Sequence, residues 1–370
     1  PDYNTQRVEA NIEKYSGLKF DPVFTILSSS ALPSPDGGIF RFLSLFLSLL
    51  GTLVTVFIYS TDIYSLNADF LSRATAGDTS VLDRIIPVVG YILALQIVHD
   101  IGHVIAAKIH DVKLGFPVLL PSLQIGIYGS VTRLLSYPKD RKQLFDIAIS
   151  GPLLGFLASL SVTGIGLSLT QTATASDLAS FPAIPQGFFS SSLLLYQLSD
   201  VFLHISSVAD PTTLVPIHPL VAVGVTGVLA NSLNFMPIGR LDGGRVAMAV
   251  AGRQAAGSLA FATLILQAVS FIENTNLISL FWVLFVVFFQ RTADLPPEDD
   301  VTPVATEKDD QKKGLVWFAR AAALGFCVLC TAGGLLPQPT VQSAQQVATT
   351  QAERVEGLVI PGQQNYRPTI

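Results

Sequence analysis

The chain has 370 residues, of which 50% are hydrophobic and only 13% are charged, with a formal net charge of −5. A soluble globular protein rarely combines so few charges with so much apolar sequence, and the mild negative charge argues against a nucleic acid partner. Several apolar runs of about 20 residues indicate a polytopic helical membrane protein in contact with the lipid bilayer. Because the chain starts at Pro1 rather than at Met, we expect a processed or trimmed form.

The chain divides into five predicted segments. Residues 1–37 form a polar, soluble N-terminal segment, and residues 38–290 form a membrane-embedded core. A charged linker at 291–314 precedes a C-terminal transmembrane helix at 315–336. The tail at 337–370 is rich in Gln, Thr, Pro and Val, so we expect it to be disordered.

The apolar runs predict an all-α membrane fold with about seven transmembrane helices. These helices are expected near residues 38–60, 84–108, 146–170, 214–236, 255–272, 276–290 and 315–336. After the second helix, residues 112–135 are apolar but interrupted by Pro117, Pro121, Gly126 and Gly129. This pattern predicts a short re-entrant β-hairpin, which a membrane tolerates only where protein or water covers the backbone. The excess of Lys and Arg in the loop 109–145 places that loop on the cytosol-like side.

Three ionisable side chains lie within about one turn of the second predicted helix, namely His99, Asp100 and His103. Ionisable groups inside a membrane are costly, so they are candidates for function. His99 and His103 are four residues apart and face the same side of the helix, where two imidazoles can share one zinc ion. The pattern His-Asp-x-x-His is one methylene shorter than the His-Glu-x-x-His of zinc proteases.

A catalytic zinc site needs a third protein ligand and a water molecule. Asp242 is the best candidate, because it lies at the basic end of the fourth predicted helix and follows a Pro-Ile-Gly bend. Gly243 and Gly244 come directly after it and allow the backbone to approach closely. Asp100 stands next to the first histidine, where a carboxylate would take a proton from the water. Spacing alone leaves open a hydrogen-bonding or proton-relay role for the histidines.

The two motifs together resemble those of the site-2 protease family of intramembrane zinc metalloproteases. That family carries His-Glu-x-x-His in one transmembrane helix and Asn-x-x-Pro-x-x-x-x-Asp-Gly in a later one, which Asn234, Pro237, Asp242 and Gly243 match. The chain resembles in particular the EGY proteins, the plastid branch in plants and algae. The resembling stretches are 120–126, 132–133, 145–148, 151–153, 217–220 and 299–302, so the similarity covers about residues 85–305.

The resemblance implies that His99, His103 and Asp242 are ligands of Zn²⁺ and that Asp100 occupies the position of the catalytic acid. A glutamate in that position would extend about 1.5 Å further, and a misplacement of about 1 Å can lower a rate about a hundredfold. Zinc binding is therefore the firmer expectation, and the rate of proteolysis depends on how Asp100 is placed.

The resemblance also assigns a substrate path. Asn234 and Pro237 would line it, and the hairpin after the second helix would receive an unwound segment of a membrane protein substrate by strand addition. His218 is a further feature of this branch, and the sequence gives it no role beyond polar packing.

The sequence leaves three functions open. The first is an intramembrane zinc metalloendopeptidase in a plastid membrane, either the thylakoid or the inner envelope. The second is a catalytically weak or inactive homologue that acts as a membrane scaffold or chaperone in the plastid. The third is an ion or metal transporter, which would need polar residues along its helices. The third and fifth predicted helices offer only Asp146 and Arg245, both at helix ends.

Overall fold

The computed structural model describes residues 38–189, 193–205, 210–274, 277–290, 297–298 and 322. Of these residues, 72% are helical. The helices are α1 (Ile39–Asp62), α2 (Ala68–Thr75), α3 (Leu82–Ile109), α4 (Arg141–Gln171), α5 (Ala175–Ser180), α6 (Gln186–Phe189), α7 (Leu193–Leu203), α8 (Pro219–Asn234), α9 (Asp242–Asn274) and α10 (Leu277–Phe285). A 3₁₀ turn at Thr79–Val81 leads into α3, and a π-helical turn at Val286–Gln290 continues α10.

Two small antiparallel sheets accompany the helices. The first joins β1 (Val118–Ser122) to β2 (Gly126–Val131), with a β-bulge between Leu120 and Pro121. It is the hairpin that the sequence predicted after the second transmembrane helix. The second sheet joins β3 (Ala183–Pro185) to β4 (Leu214–Pro216), and the sequence analysis did not anticipate it.

Four helices in the described part of the chain are long and apolar enough to cross a membrane, so the expected seven are not confirmed. Three of the four coincide with the first three predicted spans, at Ile39–Asp62, Thr79–Ile109 and Arg141–Gln171. The fourth is Asp242–Val269. The predicted helix at 315–336 lies outside the described residues, apart from residue 322.

The later predicted spans differ from the structure for local reasons. The run 214–236 divides into strand β4 and helix α8, which has only 16 residues and a length of about 24 Å. The run 255–272 is the second part of α9, which begins at Asp242 and bends where Gly252 adopts φ 81°. The run 276–290 gives α10, with nine helical residues. Hydropathy detects apolar composition but not these breaks.

Glycines bring the backbones of α3, α4 and α8 together. A Cβ atom added at Gly102 of α3 would lie 2.5 Å from the Ser150 carbonyl oxygen of α4. One added at Gly166 of α4 would lie 2.6 Å from the backbone nitrogen of Val221 in α8. Real Cβ atoms do not tolerate such contacts, so only glycine permits this spacing. Close packing of this kind is typical of helices in membranes.

Side chains of α1 bind the backbone of the hairpin. The Ser48 hydroxyl donates to the Leu119 carbonyl oxygen at 2.6 Å, and the Thr55 hydroxyl donates to the Gly126 carbonyl oxygen at 2.6 Å. From α10, the fully buried Trp282 packs on Tyr128 of β2 with ring centroids 5.4 Å apart. Protein therefore covers this non-helical segment on both sides, which is the condition under which a membrane tolerates such backbone.

Candidate metal centre

Three ligand-type side chains from α3 and α9 converge inside the helix bundle. His99 and His103 lie one turn apart on α3, with 3.1 Å between their Nε2 atoms. Asp242, the first residue of α9, places its Oδ2 3.3 Å from each of these nitrogens. The three residues are almost completely buried, with 2%, 3% and 5% of their surfaces exposed. The structure thus brings together the three residues that the sequence proposed as zinc ligands.

The Nδ1 atom of each histidine faces a hydrogen-bond acceptor. His99 Nδ1 lies 2.8 Å from Asn231 Oδ1, and His103 Nδ1 lies 2.8 Å from the Ile147 carbonyl oxygen. Asn231 donates its Nδ2 to the Gly227 carbonyl oxygen at 2.7 Å, which leaves its Oδ1 facing His99. Both imidazoles are therefore assigned a proton on Nδ1, and both Nε2 lone pairs point at Asp242.

This arrangement leaves three acceptor atoms facing one another. Asp242 Oδ2 is buried and takes part in no hydrogen bond among the described residues, although two imidazole nitrogens are near it. The three ligand atoms lie within 4.8 Å of one another. Two neutral imidazoles and one carboxylate form a donor set of the kind used in catalytic zinc sites, and a divalent cation would satisfy all three lone pairs. The residues therefore fit a zinc ion.

Two glycines of α4 make room for these side chains. A Cβ atom at Gly151 would collide with His103 Nε2, and one at Gly155 would lie 2.5 Å from Asn231 Oδ1 and 3.0 Å from His99 Cβ. Each of these two glycines therefore leaves space that a residue of the metal centre fills.

Asp100 lies beside the ligands and is half-buried. Its Oδ1 accepts a hydrogen bond from the Ser130 hydroxyl of β2 at 2.5 Å and another from Gln96 Nε2 at 3.1 Å. Gln96 Nε2 also donates to Ser130 Oγ at 3.1 Å. The three side chains form a closed network, and both hydrogen bonds to the carboxylate go to the same oxygen.

Asn234 is the last residue of α8 and contacts the hairpin, and Pro237 lies in the turn between α8 and α9. Asn234 is 1% exposed and donates its Nδ2 to the Tyr128 carbonyl oxygen at 3.1 Å. Its Oδ1 is buried and takes part in no hydrogen bond among the described residues. Gly129 has φ 119°, and a Cβ atom there would collide with Asn234 Nδ2. The asparagine of the second motif is therefore fixed against strand β2.

His218 lies apart from the metal centre, at the N-terminus of α8. Its Nδ1 accepts a hydrogen bond from the Leu220 backbone N–H at 3.2 Å, so the imidazole caps the helix. The ring also packs edge-on against Phe181, with centroids 5.1 Å apart. These contacts give His218 the structural role that the sequence could not specify.

Sequence reasoning assigned no role to four residues around the site: Gln96, Ser130, Asn231 and Arg245. Gln96 lies one turn before Asp100 on the same helix, a spacing that signals contact. Arg245 is three residues after Asp242, with Nη1 3.9 Å from Asp242 Oδ1, and it donates to the Thr132 carbonyl oxygen at 2.6 Å. Ser130 and Asn231 have no such local signal, because only the tertiary fold brings them to α3.

Comparison with known proteins gives one family. The sequence profile of Peptidase family M50 matches residues 87–272. The chain is 35% identical over 226 residues to the "Probable zinc metalloprotease EGY1, chloroplastic" of Oryza sativa subsp. japonica, covering 61% of this chain and 38% of that protein. It is 32% identical over 257 residues to the protein of the same name in Arabidopsis thaliana, covering 69% of this chain and 43% of that protein.

A third relative is the "Probable zinc metallopeptidase EGY3, chloroplastic" of Arabidopsis thaliana, 29% identical over 250 residues, with 66% of this chain and 43% of that protein covered. The matches thus span about two fifths of the length of these curated relatives. No solved structure matches the chain at a significant level.

Proposed function

Because the chain belongs to Peptidase family M50, we propose that it is an intramembrane zinc metalloendopeptidase that hydrolyses peptide bonds in membrane-spanning substrates. One observation carries the proposal. The buried Oδ2 of Asp242, which has no hydrogen-bond partner among the described residues, lies 3.3 Å from two histidine nitrogens on one helix. Such a cluster of acceptors is stable when a cation binds to it.

In this proposal His99, His103 and Asp242 hold the zinc ion. When bound, Zn²⁺ supplies a Lewis acid that lowers the pKa of a coordinated water to about 7 and polarises a carbonyl oxygen. Asn231 and the Ile147 carbonyl oxygen hold the two imidazoles in the orientation and tautomer that ligation needs. Arg245 lies near the other carboxylate oxygen of Asp242.

Asp100 is the proposed general base. Ser130 and Gln96 hold its Oδ1, and the other oxygen, Oδ2, accepts no hydrogen bond from a described residue. We assign to Oδ2 the transfer of a proton from the attacking water to the leaving amine. This role is independent of the ligands, so loss of the Asp100 carboxylate is expected to stop cleavage and to leave zinc binding intact.

The hairpin and Asn234 are the proposed substrate site. An extended peptide segment presents unpaired backbone N–H groups, and the buried Oδ1 of Asn234 is an acceptor without a partner among the described residues. Asn234 is also anchored to the Tyr128 carbonyl oxygen of β2. Pro237 then shapes the turn that carries the chain to Asp242. We propose that a substrate segment unwinds and pairs with the hairpin beside Asn234.

We propose that the protein is embedded in a plastid membrane, since the curated relatives that it matches are named as chloroplastic. Its four spanning-length helices support an integral position in the bilayer. The membrane core in this proposal comprises residues 38–290, and the other segments expected from the sequence, at 1–37, 291–314, 315–336 and 337–370, lie outside the described residues apart from 297–298 and 322.

The test measures bound zinc and cleavage together in detergent-purified protein. Wild type is expected to hold about one zinc per chain and to cleave labelled casein, an unfolded substrate. His99→Ala should lose both zinc and cleavage. Asp100→Asn should keep zinc and lose at least about a hundredfold in cleavage rate. The proposal is ruled out if His99→Ala still cleaves casein, or if the purified wild-type protein binds no zinc.

The second candidate is a weakly active or inactive homologue that acts as a membrane scaffold or chaperone. Asp100 favours it, because the family motif has glutamate there and the shorter side chain sets the carboxylate back by about 1.5 Å. Zinc bound by wild type without any cleavage, and a function in the plastid that His99→Ala leaves intact, would support this candidate instead.

A further inference from the structure

We propose that Ser130 and Gln96 are positioning residues that adapt the site to an aspartate at position 100. Asp100, Ser130 and Gln96 would form one set of side chains, which we call the matched unit. In this unit the shorter carboxylate of aspartate, rather than that of glutamate, is the one placed for catalysis. This inference rests on the proposed function, since it concerns the placement of the general base. It also makes a claim about stability that can be measured without any cleavage.

The geometry of the hydrogen bonds to Asp100 supports this proposal. Ser130 Oγ donates to Asp100 Oδ1 at 2.5 Å, the short distance of a hydroxyl bound to a charged carboxylate. Gln96 Nε2 donates to the same oxygen and to Ser130 Oγ, at 3.1 Å each. Gln96 and Ser130 are 7% and 5% exposed, so water competes little with these bonds. Hydrogen bonds that link all three side chains and are shielded from water restrict these side chains to one arrangement.

The two donors, Gln96 and Ser130, also lie on regular secondary-structure elements. Gln96 is one turn before Asp100 on α3, and Ser130 is on β2, where it pairs with Leu119 of β1. The next residue of β2 towards the turn, Gly129, lies against Asn234. The donors therefore sit on two regular elements that are fixed against each other. Groups held in this way place a reacting atom more accurately than groups on a loose loop.

The length of the side chain at position 100 also favours aspartate. A glutamate at position 100 has one more methylene and extends its carboxylate by about 1.5 Å. Ser130 Oγ already lies at 2.5 Å from the aspartate oxygen, so the longer side chain cannot extend in that direction. It must turn away and leave the Ser130 hydroxyl without its acceptor. Removal of that hydroxyl should create the space that a glutamate needs.

The experiment is a double-mutant cycle between positions 100 and 130 in the full, zinc-loaded chain. Ser130→Ala alone is expected to lower kcat about tenfold with little change in KM, and Ser130→Thr, which keeps the hydroxyl, should restore most of it. Asp100→Glu alone should be slower than wild type. The double variant Asp100→Glu/Ser130→Ala should be faster than Asp100→Glu, by about tenfold.

The second readout is thermal unfolding of the same variants in detergent. Ser130→Ala should lower Tm in wild type, because the half-buried Asp100 carboxylate loses a hydrogen bond, and should not lower it in the Asp100→Glu background. Ser122→Ala is the matched control. Ser122 is a 2% exposed serine of the same hairpin whose hydroxyl bonds to Gln124, so its effect should be the same in both backgrounds.

The outcomes separate the two proposals. If the effects of Ser130→Ala and Asp100→Glu simply multiply in kcat and add in Tm, the matched unit does not exist. A gain of activity in Asp100→Glu alone would also overturn it, since the aspartate would then be a defect. If no variant cleaves but the coupling in Tm is found, the matched unit stands and the proposed proteolysis fails.

Discussion

The ligand atoms of the metal centre depend on neutral partners from neighbouring helices. Asn231 and the Ile147 carbonyl oxygen fix the imidazoles, while Gly151 and Gly155 leave the space that the side chains occupy. The convergence of His99, His103 and Asp242 was predictable from sequence, because a spacing of four residues and a two-part motif are local signals. Asn231 was not, because it is 132 residues from His99 and the pairing depends on how α8 packs.

Replacing Asn231 tests the support of His99. Asn231→Leu removes the acceptor of the Nδ1 proton and keeps a similar volume, so the dissociation constant for Zn²⁺ is expected to rise about 10- to 100-fold. Titration of metal-free protein with zinc against a competing chelator measures this change. Asn231→Asp keeps an acceptor oxygen and should bind zinc nearly as wild type does. Equal affinity in Asn231→Leu and wild type would show that the contact is irrelevant to ligation.

Replacing Gly151 tests the space beside His103. In Gly151→Ala the added methyl overlaps His103 Nε2, so the imidazole must move and bound zinc should fall well below one per chain. Gly164→Ala, on the same helix, is the control, because a Cβ atom there meets nothing within 4 Å. That variant should keep its zinc. Metal analysis of both variants, purified in parallel, decides the matter.

At the scale of elements, the helices that hydropathy located well are the long ones. The observed helices differ from the predicted ones where particular residues interrupt the apolar runs. Gly252 bends α9, and α8 begins at Pro219, after strand β4 and the capping residue His218. The hairpin was predictable because prolines and glycines break its apolar run. The β3–β4 pair was not, since its strands have three residues each and lie about 30 residues apart.

The histidine cap of α8 makes stability depend on pH. Burial lowers the pKa of the His218 imidazole below its ordinary value, because the folded protein favours the neutral ring. Its contribution is therefore complete above the unfolded pKa of about 6.5 and is lost as pH falls through the lower folded pKa. Tm should fall between about pH 7 and pH 5 more steeply in wild type than in His218→Asn, whose amide caps without titrating. Parallel slopes would contradict this assignment.

At the scale of the whole molecule, the metal centre joins distant parts of the chain. Its ligands come from the middle of α3 and the first residue of α9, and the partners of those ligands lie on α4 and α8. A zinc ion there connects elements that the sequence separates by more than a hundred residues. A zinc ion that binds only the folded state raises the free energy of unfolding by RT ln(1 + [Zn]/Kd), where [Zn] is the free zinc concentration.

Zinc is therefore expected to raise the Tm of chelator-treated wild type, by an amount equivalent to about 2.7 kcal/mol at a free concentration of 100 Kd. Asp242→Ala should show no such rise. His110→Ala is the matched control: His110 follows α3 and lies 3.1 Å from Asp146 Oδ2, outside the ligand group. It should respond to zinc as wild type does. A rise in Asp242→Ala would mean that the ion acts elsewhere.

The contacts between α1 and the hairpin have a consequence for the order in which the chain assembles. In the proposed membrane position of the hairpin, the Ser48 and Thr55 hydroxyls give the Leu119 and Gly126 carbonyl oxygens donors that hydrocarbon cannot supply. We therefore expect the hairpin to enter the bilayer more readily when α1 is already in place. Since α1 precedes the hairpin in the sequence, synthesis from the N-terminus produces α1 before the hairpin that binds to it.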